Sequence, residues 1–157
     1  MSLYLDYLVD ELTKNTVFAG KVHALDSVAA NGMQFCDDEE DLVDMFGPLR
    51  LEECLAVVCP LNDSRTITGG GSHWAMLFII RESLTSPLNC FVFDSAGEHI
   101  NMLSVANGHL PKLATLMRGT KPNGGATAVT SFPLQGNSYD CGIFAICGAE
   151  AALTSVV

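Results

Sequence analysis

The stretch Trp74 to Ile80 reads Trp-Ala-Met-Leu-Phe-Ile-Ile, with no charged residue in it. A run of this length and composition is a strand, and a strand with no polar side has to be buried on both faces. Leu55 to Val58 is a second short apolar run, closed by Pro60, and reads as another buried strand. Arg81 to Asn89, with Ser83, Thr85, Ser86 and Pro87, has turn chemistry, and Cys90 to Phe93 follows as a strand ending at Asp94.

If Trp74–Ile80 and Cys90–Phe93 pair antiparallel through that turn, the start of the first lies beside the end of the second. His73 and Asp94 then meet at one edge of the sheet. A carboxylate that holds one imidazole nitrogen fixes the tautomer and leaves the other nitrogen for a nucleophile. Taken singly, His73 is also a loop histidine before a strand, and Asp94 a turn residue after one.

The segment Gln135 to Cys147 reads Gln-Gly-Asn-Ser-Tyr-Asp-Cys-Gly-Ile-Phe-Ala-Ile-Cys. Its polar, turn-forming half gives way at Cys141 to Ile143, Phe144, Ile146 and Cys147 at helical spacing. Cys141 therefore sits in the first turn of a helix, where unpaired N–H groups and the macrodipole favour a thiolate. Asp140 opposes the thiolate unless its carboxylate caps the helix. The peptide alone reads equally as a nucleophile and as an inert core thiol at a helix start.

The chain's 157 residues fit one domain with a core that needs no staples, and a hydrophobic content of 48% suits a packed globule. Its net charge of −10 argues against binding a phosphate backbone. Cys36, Cys54, Cys59, Cys90, Cys141 and Cys147 form no disulfide framework, and Met1 to Leu12 carries Asp6, Asp10 and Glu11 where a secretory leader would be apolar. A cytoplasmic or nuclear location is the expectation, with no membrane role, since the apolar runs are too short to span a bilayer. Cys54 and Cys59 lack the spacing of a zinc site, and Gly69-Gly70-Gly71 lacks the Lys-Ser/Thr of a phosphate loop.

Elsewhere, Leu3, Tyr4, Tyr7, Leu8 and Leu12 predict an opening helix that ends near Lys14 or Asn15. Residues 16 to 36 give mixed signals, with Gly20 and Asn31-Gly32 as breakers and a helical turn over Ala24 to Ala30. The acids Asp37 to Asp41 lead into a helix that Gly47-Pro48 ends. Ile100 to Met117 is helical, with Pro111 opening or kinking its second half; Thr120 to Gly125 is a loop, and Thr127 to Phe132 is β-prone. His23, His99 and His109 read as ordinary surface or loop residues.

Assembled in order, His73-Trp74, Phe93-Asp94-Ser95 and Gln135-Gly-Asn-Ser-Tyr-Asp-Cys141-Gly resemble the motifs of the sentrin/ubiquitin-like-specific cysteine proteases. The order His, Asp, Gln, Cys separates that family from papain-like enzymes in which the cysteine comes first. Gly70-Gly71-Ser72-His73-Trp74, Asn137-Ser138-Tyr139, and Met45-Phe46 through Pro48-Leu49-Arg50-Leu51 look like its deneddylase branch. The resemblance implies an α+β, papain-like cysteine protease fold, with a central, mostly antiparallel sheet and the nucleophile helix packed against it. It implies a single catalytic domain over residues 1–157, without the Trp-Leu-Asx-Asp segment that usually precedes the opening helix and without the usual C-terminal extension.

The same resemblance implies roles. Cys141 would attack the carbonyl after a diglycine tail, His73 would be general base and acid, and Asp94 would orient it. Gln135 and the backbone N–H of Cys141 would bind the oxyanion. Trp74 would cover the substrate's diglycine tail, its inner face also suiting a core aromatic. The partner implied is a ubiquitin-like modifier, the neddylation modifier ahead of SUMO, and no metal or cofactor is needed. A non-enzymatic module that binds such a modifier on its acidic surface is the alternative. An acetyltransferase with a similar His-acid-Cys set is more distant, since His73-Trp74 and Gln135 argue against it.

Overall fold

Trp74–Ile80 is the middle strand of a five-stranded sheet. The computed structural model describes every residue except 98, 120, 121, 123 and 157, and gives 99 and 100 by their backbone alone. In chain order the elements are α1 (Ser2–Thr13), β1 (Val22–Ala24), α2 (Ser27–Gln34), α3 (Glu39–Phe46), β2 (Ala56–Asn62), β3 (Trp74–Ile80), β4 (Asn89–Phe93), α4 (His99–Leu116), β5 (Thr127–Ala128) and α5 (Cys141–Val156). Two short 3₁₀ turns, Gly47–Leu49 and Leu51–Glu53, join α3 to β2. The strands lie in sequence order; β2, β3 and β4 are antiparallel, while short β1 and β5 join the two edges in parallel.

The two faces of β3 feed two cores, as its lack of a polar side requires. Ala75, Leu77 and Ile79 pack with Val57, Cys59 and Leu61 of β2 and with Met33 of α2, Leu42 and Phe46 of α3, and Ala106, Leu110 and Leu113 of α4. Met76 and Phe78 pack on the opposite side with Leu5, Leu8 and Val9 of α1 and Ala145, Ala149, Ala152 and Leu153 of α5. The result is α+β, a sheet between two helical layers, with α5 on the same side as α1.

Several local expectations are corrected. Of the helical turn expected over Ala24 to Ala30, Ala24 instead ends β1, a piece too short for alternation to mark it, and the helix begins at Ser27. Helix α2 runs through Asn31-Gly32 because Asp26 caps it, accepting from Val28 N (2.7 Å), and because Ala30 and Met33 are drawn into the core. Strand β2 continues through Pro60 to Asn62. Val58 O accepts from Leu25 N, so Pro60, two residues on, faces the same edge beyond the end of β1, where no strand asks for its missing N–H. Helix α4 is continuous through Pro111, and β5 is limited to Thr127–Ala128. The predicted Thr120–Gly125 loop falls partly outside the described residues.

Arg81 is not turn chemistry but a buried cation, 1% exposed. Its guanidinium donates to Cys54 O, Leu84 O, Met117 O and Glu52 O, each at 2.9 Å. The planar fork thus ties the segment before β2, the β3–β4 turn and the end of α4 through carbonyl dipoles. His109 is likewise buried rather than at the surface: Nε2 lies 3.1 Å from Ala30 O and Nδ1 2.9 Å from Val105 O. Beside it, Lys112 donates to Met33 O and Gln34 O, so α4 satisfies the C-terminal carbonyls of α2. His23 is half-buried in β1, and the side chain of His99 lies outside the described residues.

Two consequences are measurable. Arg81→Met removes the donor from four carbonyls, two of them in buried contacts, and is expected to cost about 3 kcal/mol by denaturant unfolding, with Lys a poor substitute because an ammonium lacks the fork. Burial pushes the His109 pKa below its ordinary 6.5, against the pull of the Val105 and Ala30 carbonyls, and burial lowers His23 too. A ring whose pKa falls on folding binds its proton more readily in the unfolded chain, so stability drops as pH falls below about 6.5 toward the depressed values. Thermal melting across that window should show the drop, and His109→Gln should flatten it.

Candidate active site

The antiparallel register sets Met76 opposite Phe93, which brings the residues just outside the two strands to one end of the sheet. There His73 Nε2 lies 2.6 Å from Asp94 Oδ1, as the pairing argument predicts. Asp94 is fully buried, and the same oxygen accepts the Ala96 N–H at 3.0 Å, while Oδ2 has no partner among the described residues. A desolvated carboxylate with so few donors makes the imidazole N–H its main compensation. That leaves Nδ1 of His73 as the nitrogen available to another group.

Cys141 is the first residue of α5. Ala152, Ser155 and Val156 share an apolar cavity with Ile80 and Asn89, and Gly148 lies against Phe93. Helix α5 therefore runs alongside β3 in the same direction. Cys141, seven residues before Gly148, lies about 10 Å further along the axis, at the end of the sheet that holds His73 and Asp94. Its side chain is 5% exposed. Burial pushes the thiols of Cys54, Cys59 and Cys90 up to about 11, 12 and 12, so they stay protonated and inert.

The loop before α5 is pinned to the segment after β4. Gln135 N donates to Ser95 O (2.9 Å), Ser95 Oγ donates to Gln135 Oε1 (2.6 Å), and Gln135 Nε2 donates to Asn137 O (2.6 Å). With the carboxamide oxygen occupied, its orientation is fixed, and the second hydrogen of Nε2 is free to donate. Asn137 Oδ1 accepts from Tyr139 N and Asp140 N, forming the turn that feeds α5. Asp140 does not spend its carboxylate on the helix backbone as the capping condition required; Oδ2 accepts instead from Asn137 Nδ2 at 2.6 Å.

Trp74 is half-buried and leans on the α1–α5 core, while Tyr139 and Ile143 flank Cys141 as exposed apolar groups. Among the described residues no cluster of histidine, cysteine and acid side chains could hold a metal ion, and no helix is long and apolar enough to cross a membrane. Sequence reasoning missed Ser95, which it quoted without a use, and Asn137. Ser95 is 2% exposed, and a buried serine beside a buried aspartate is the signal that, once burial is known, points to a side-chain partner.

A family model described as the Ulp1 protease family, C-terminal catalytic domain, matches residues 1–157. The chain is 30% identical over 122 residues to NEDD8-specific protease 1 of Arabidopsis thaliana, covering 73% of this chain and 48% of that protein. It is 31% identical over 104 residues to human sentrin-specific protease 8, covering 66% and 46%. It thus spans about half the length of these curated relatives. In fold it is similar to the Xanthomonas campestris effector protein XopD bound to ubiquitin, with a TM-score of 0.68 at 17% identity over 99% of this chain and 74% of that one. It is equally similar to the C-terminal Ulp1 protease domain in complex with Smt3, the yeast ortholog of SUMO, with a TM-score of 0.68 at 15% identity over 99% and 66%.

The seat of α5 is testable through Gly148. A Cβ there would lie 2.7 Å from Phe93 Cβ, a contact neither backbone can relieve without moving. In a free helix Gly→Ala gains about 1 kcal/mol. Here Gly148→Ala is expected to cost about 1–3 kcal/mol of unfolding free energy as α5 is pushed off β4.

Proposed function

The chain belongs to the Ulp1 protease family, and we propose that it is a thiol hydrolase that cleaves the isopeptide or peptide bond after the C-terminal glycine of a ubiquitin-like modifier. The observation that carries this reading is the pairing of His73 with the fully buried Asp94, 2.6 Å apart at the sheet end toward which α5 directs Cys141. In the proposed first step His73 Nδ1 takes the Cys141 proton and the thiolate adds to the scissile carbonyl carbon. The oxyanion forms between the free Nε2 hydrogen of Gln135 and the Cys141 N–H, which helix geometry leaves without an intrahelical partner. Collapse expels the amine with the proton that His73 returns. Water, deprotonated by His73, then hydrolyses the thioester, releasing the modifier's carboxylate and restoring the thiol.

Asp94 holds Nε2–H throughout, and Ser95 keeps the Gln135 amide turned the right way. Trp74, half-buried beside His73, lies over the diglycine tail, where a narrow passage admits only residues without side chains. Residues 1–157 act as one catalytic domain needing no metal or cofactor. The neddylation modifier is the favoured substrate, supported by relatives named as a NEDD8-specific and a sentrin-specific protease, with SUMO next. Free cysteines suit a reducing compartment, cytoplasm or nucleus.

The deciding measurement is adduct formation with the neddylation modifier, SUMO and ubiquitin, each carrying a C-terminal thiol-reactive group. A covalent adduct at Cys141 with the neddylation modifier ahead of the others is expected, and none with Cys141→Ala at an unchanged melting temperature. A folded parent chain that forms no adduct with any of them overturns the reading.

A further inference from the structure

We propose that Asp63 is a positioning residue for the His73 base, acting through the main chain of Ser72 and His73; the reaction it serves rests on the function proposed above. Asp63 follows β2, and its Oδ1 accepts both the Ser72 N–H (2.6 Å) and the His73 N–H (2.8 Å), while Oδ2 accepts from Ser72 Oγ (2.9 Å). From the same turn of chain, Asp63 N and Asn62 Nδ2 both donate to His73 O, at 3.3 and 3.0 Å. Both backbone groups of His73 are therefore held by two consecutive residues of the neighbouring strand end.

Gly71 is built for this clamp. A Cβ at that position would overlap Asn62 Oδ1 and come within 2.7 Å of Asp63 Oδ1, so only glycine lets the chain pass over the two side chains. The preceding loop is tied to itself and to α2, Thr66 Oγ1 donating to Gly69 O (2.7 Å) and Asn31 Nδ2 to Ile67 O (3.0 Å), so the hold on His73 itself comes from Asn62 and Asp63. Asp94 fixes where Nε2 points, but one hydrogen bond to a ring tip does not fix the ring's origin. Asp63 does, by anchoring the atoms from which the side chain departs. Burial pushes the Asp63 carboxyl up, yet the amides of His73 and Ser72 and the Ser72 hydroxyl outweigh it and hold it below the ordinary carboxylate range.

Two substitutions separate this geometric role from a mere negative charge near the imidazole. Asp63→Asn keeps a carbonyl oxygen where Oδ1 accepts both amides but removes the charge. Asp63→Glu keeps the charge but carries the oxygens a methylene out of place. The experiment follows iodoacetamide alkylation of Cys141 against pH, read on the Cys141 peptide by mass spectrometry, together with the rate of adduct formation by the modifier probe, on variants checked by thermal melting. Asp63→Asn is expected to keep the parent's pH profile and rate. Asp63→Glu and Asp63→Ala are expected to depart from the parent's pH profile of alkylation and to lose about 100-fold in adduct rate, the scale of an ångström-sized misplacement. An active Glu variant beside an inactive Asn variant would assign the effect to charge and overturn the proposal, as would an Ala variant with the parent's profile. Alkylation needs no modifier, so a parent whose alkylation profile differs from that of Asp63→Ala but which forms no adduct would remove the modifier reading while leaving the role of Asp63 intact.

Discussion

The burial of β3 on both faces is the constraint from which the rest follows. An apolar strand with no polar side can exist only between two layers, and here α2, α3 and α4 supply one while α1 and α5 supply the other. Once α5 must cover Met76 and Phe78, its path is set by the strand beneath it and by the absence of a side chain at Gly148. The residue at its start then arrives at the sheet end where the β3–β4 register has already placed a histidine and an aspartate. Proximity at the site is a by-product of covering the core.

Three short polar devices turn that rough convergence into a defined geometry. Asp94 holds the imidazole tip, Asn62 and Asp63 hold the histidine's backbone, and Ser95 with Asn137 holds the Gln135 carboxamide. None of them depends on a surface ion pair, whose contribution in water is small. Each instead satisfies groups partly withdrawn from water, where an unmade hydrogen bond is costlier than at the open surface and a made one is specific.

Much of this was legible in the sequence because it is carried by unbroken apolar runs, local charge and helical spacing. The run Trp74–Ile80, the acids before α3 and the polar-to-apolar change at Cys141 all mark elements found where expected. The meeting of His73 with Asp94 was legible because antiparallel pairing through one turn leaves little freedom of register. What escaped was non-local. The three residues of β1 have no pattern apart from the strand they join, Arg81 reads as a turn residue until the three distant carbonyls of Glu52, Cys54 and Met117 are seen around it, and His109 reads as exposed until α2 is placed beside it. Asp63 and Ser95 escaped for a related reason, since a polar side chain in a loop signals neither its burial nor its partner.

Arg81 carries a consequence of another kind. In a chain of net charge −10, its buried cation is met by carbonyl dipoles and, among the described residues, by no carboxylate. Such an ion–dipole cage has no mobile counter-charge for dissolved ions to compete with, and it lies away from the solvent in which screening operates. Added salt will quiet the mutual repulsion of the acidic surface while leaving this internal junction untouched. The domain therefore has an electrostatic exterior that answers to ionic strength and an electrostatic joint at one end of its sheet that does not.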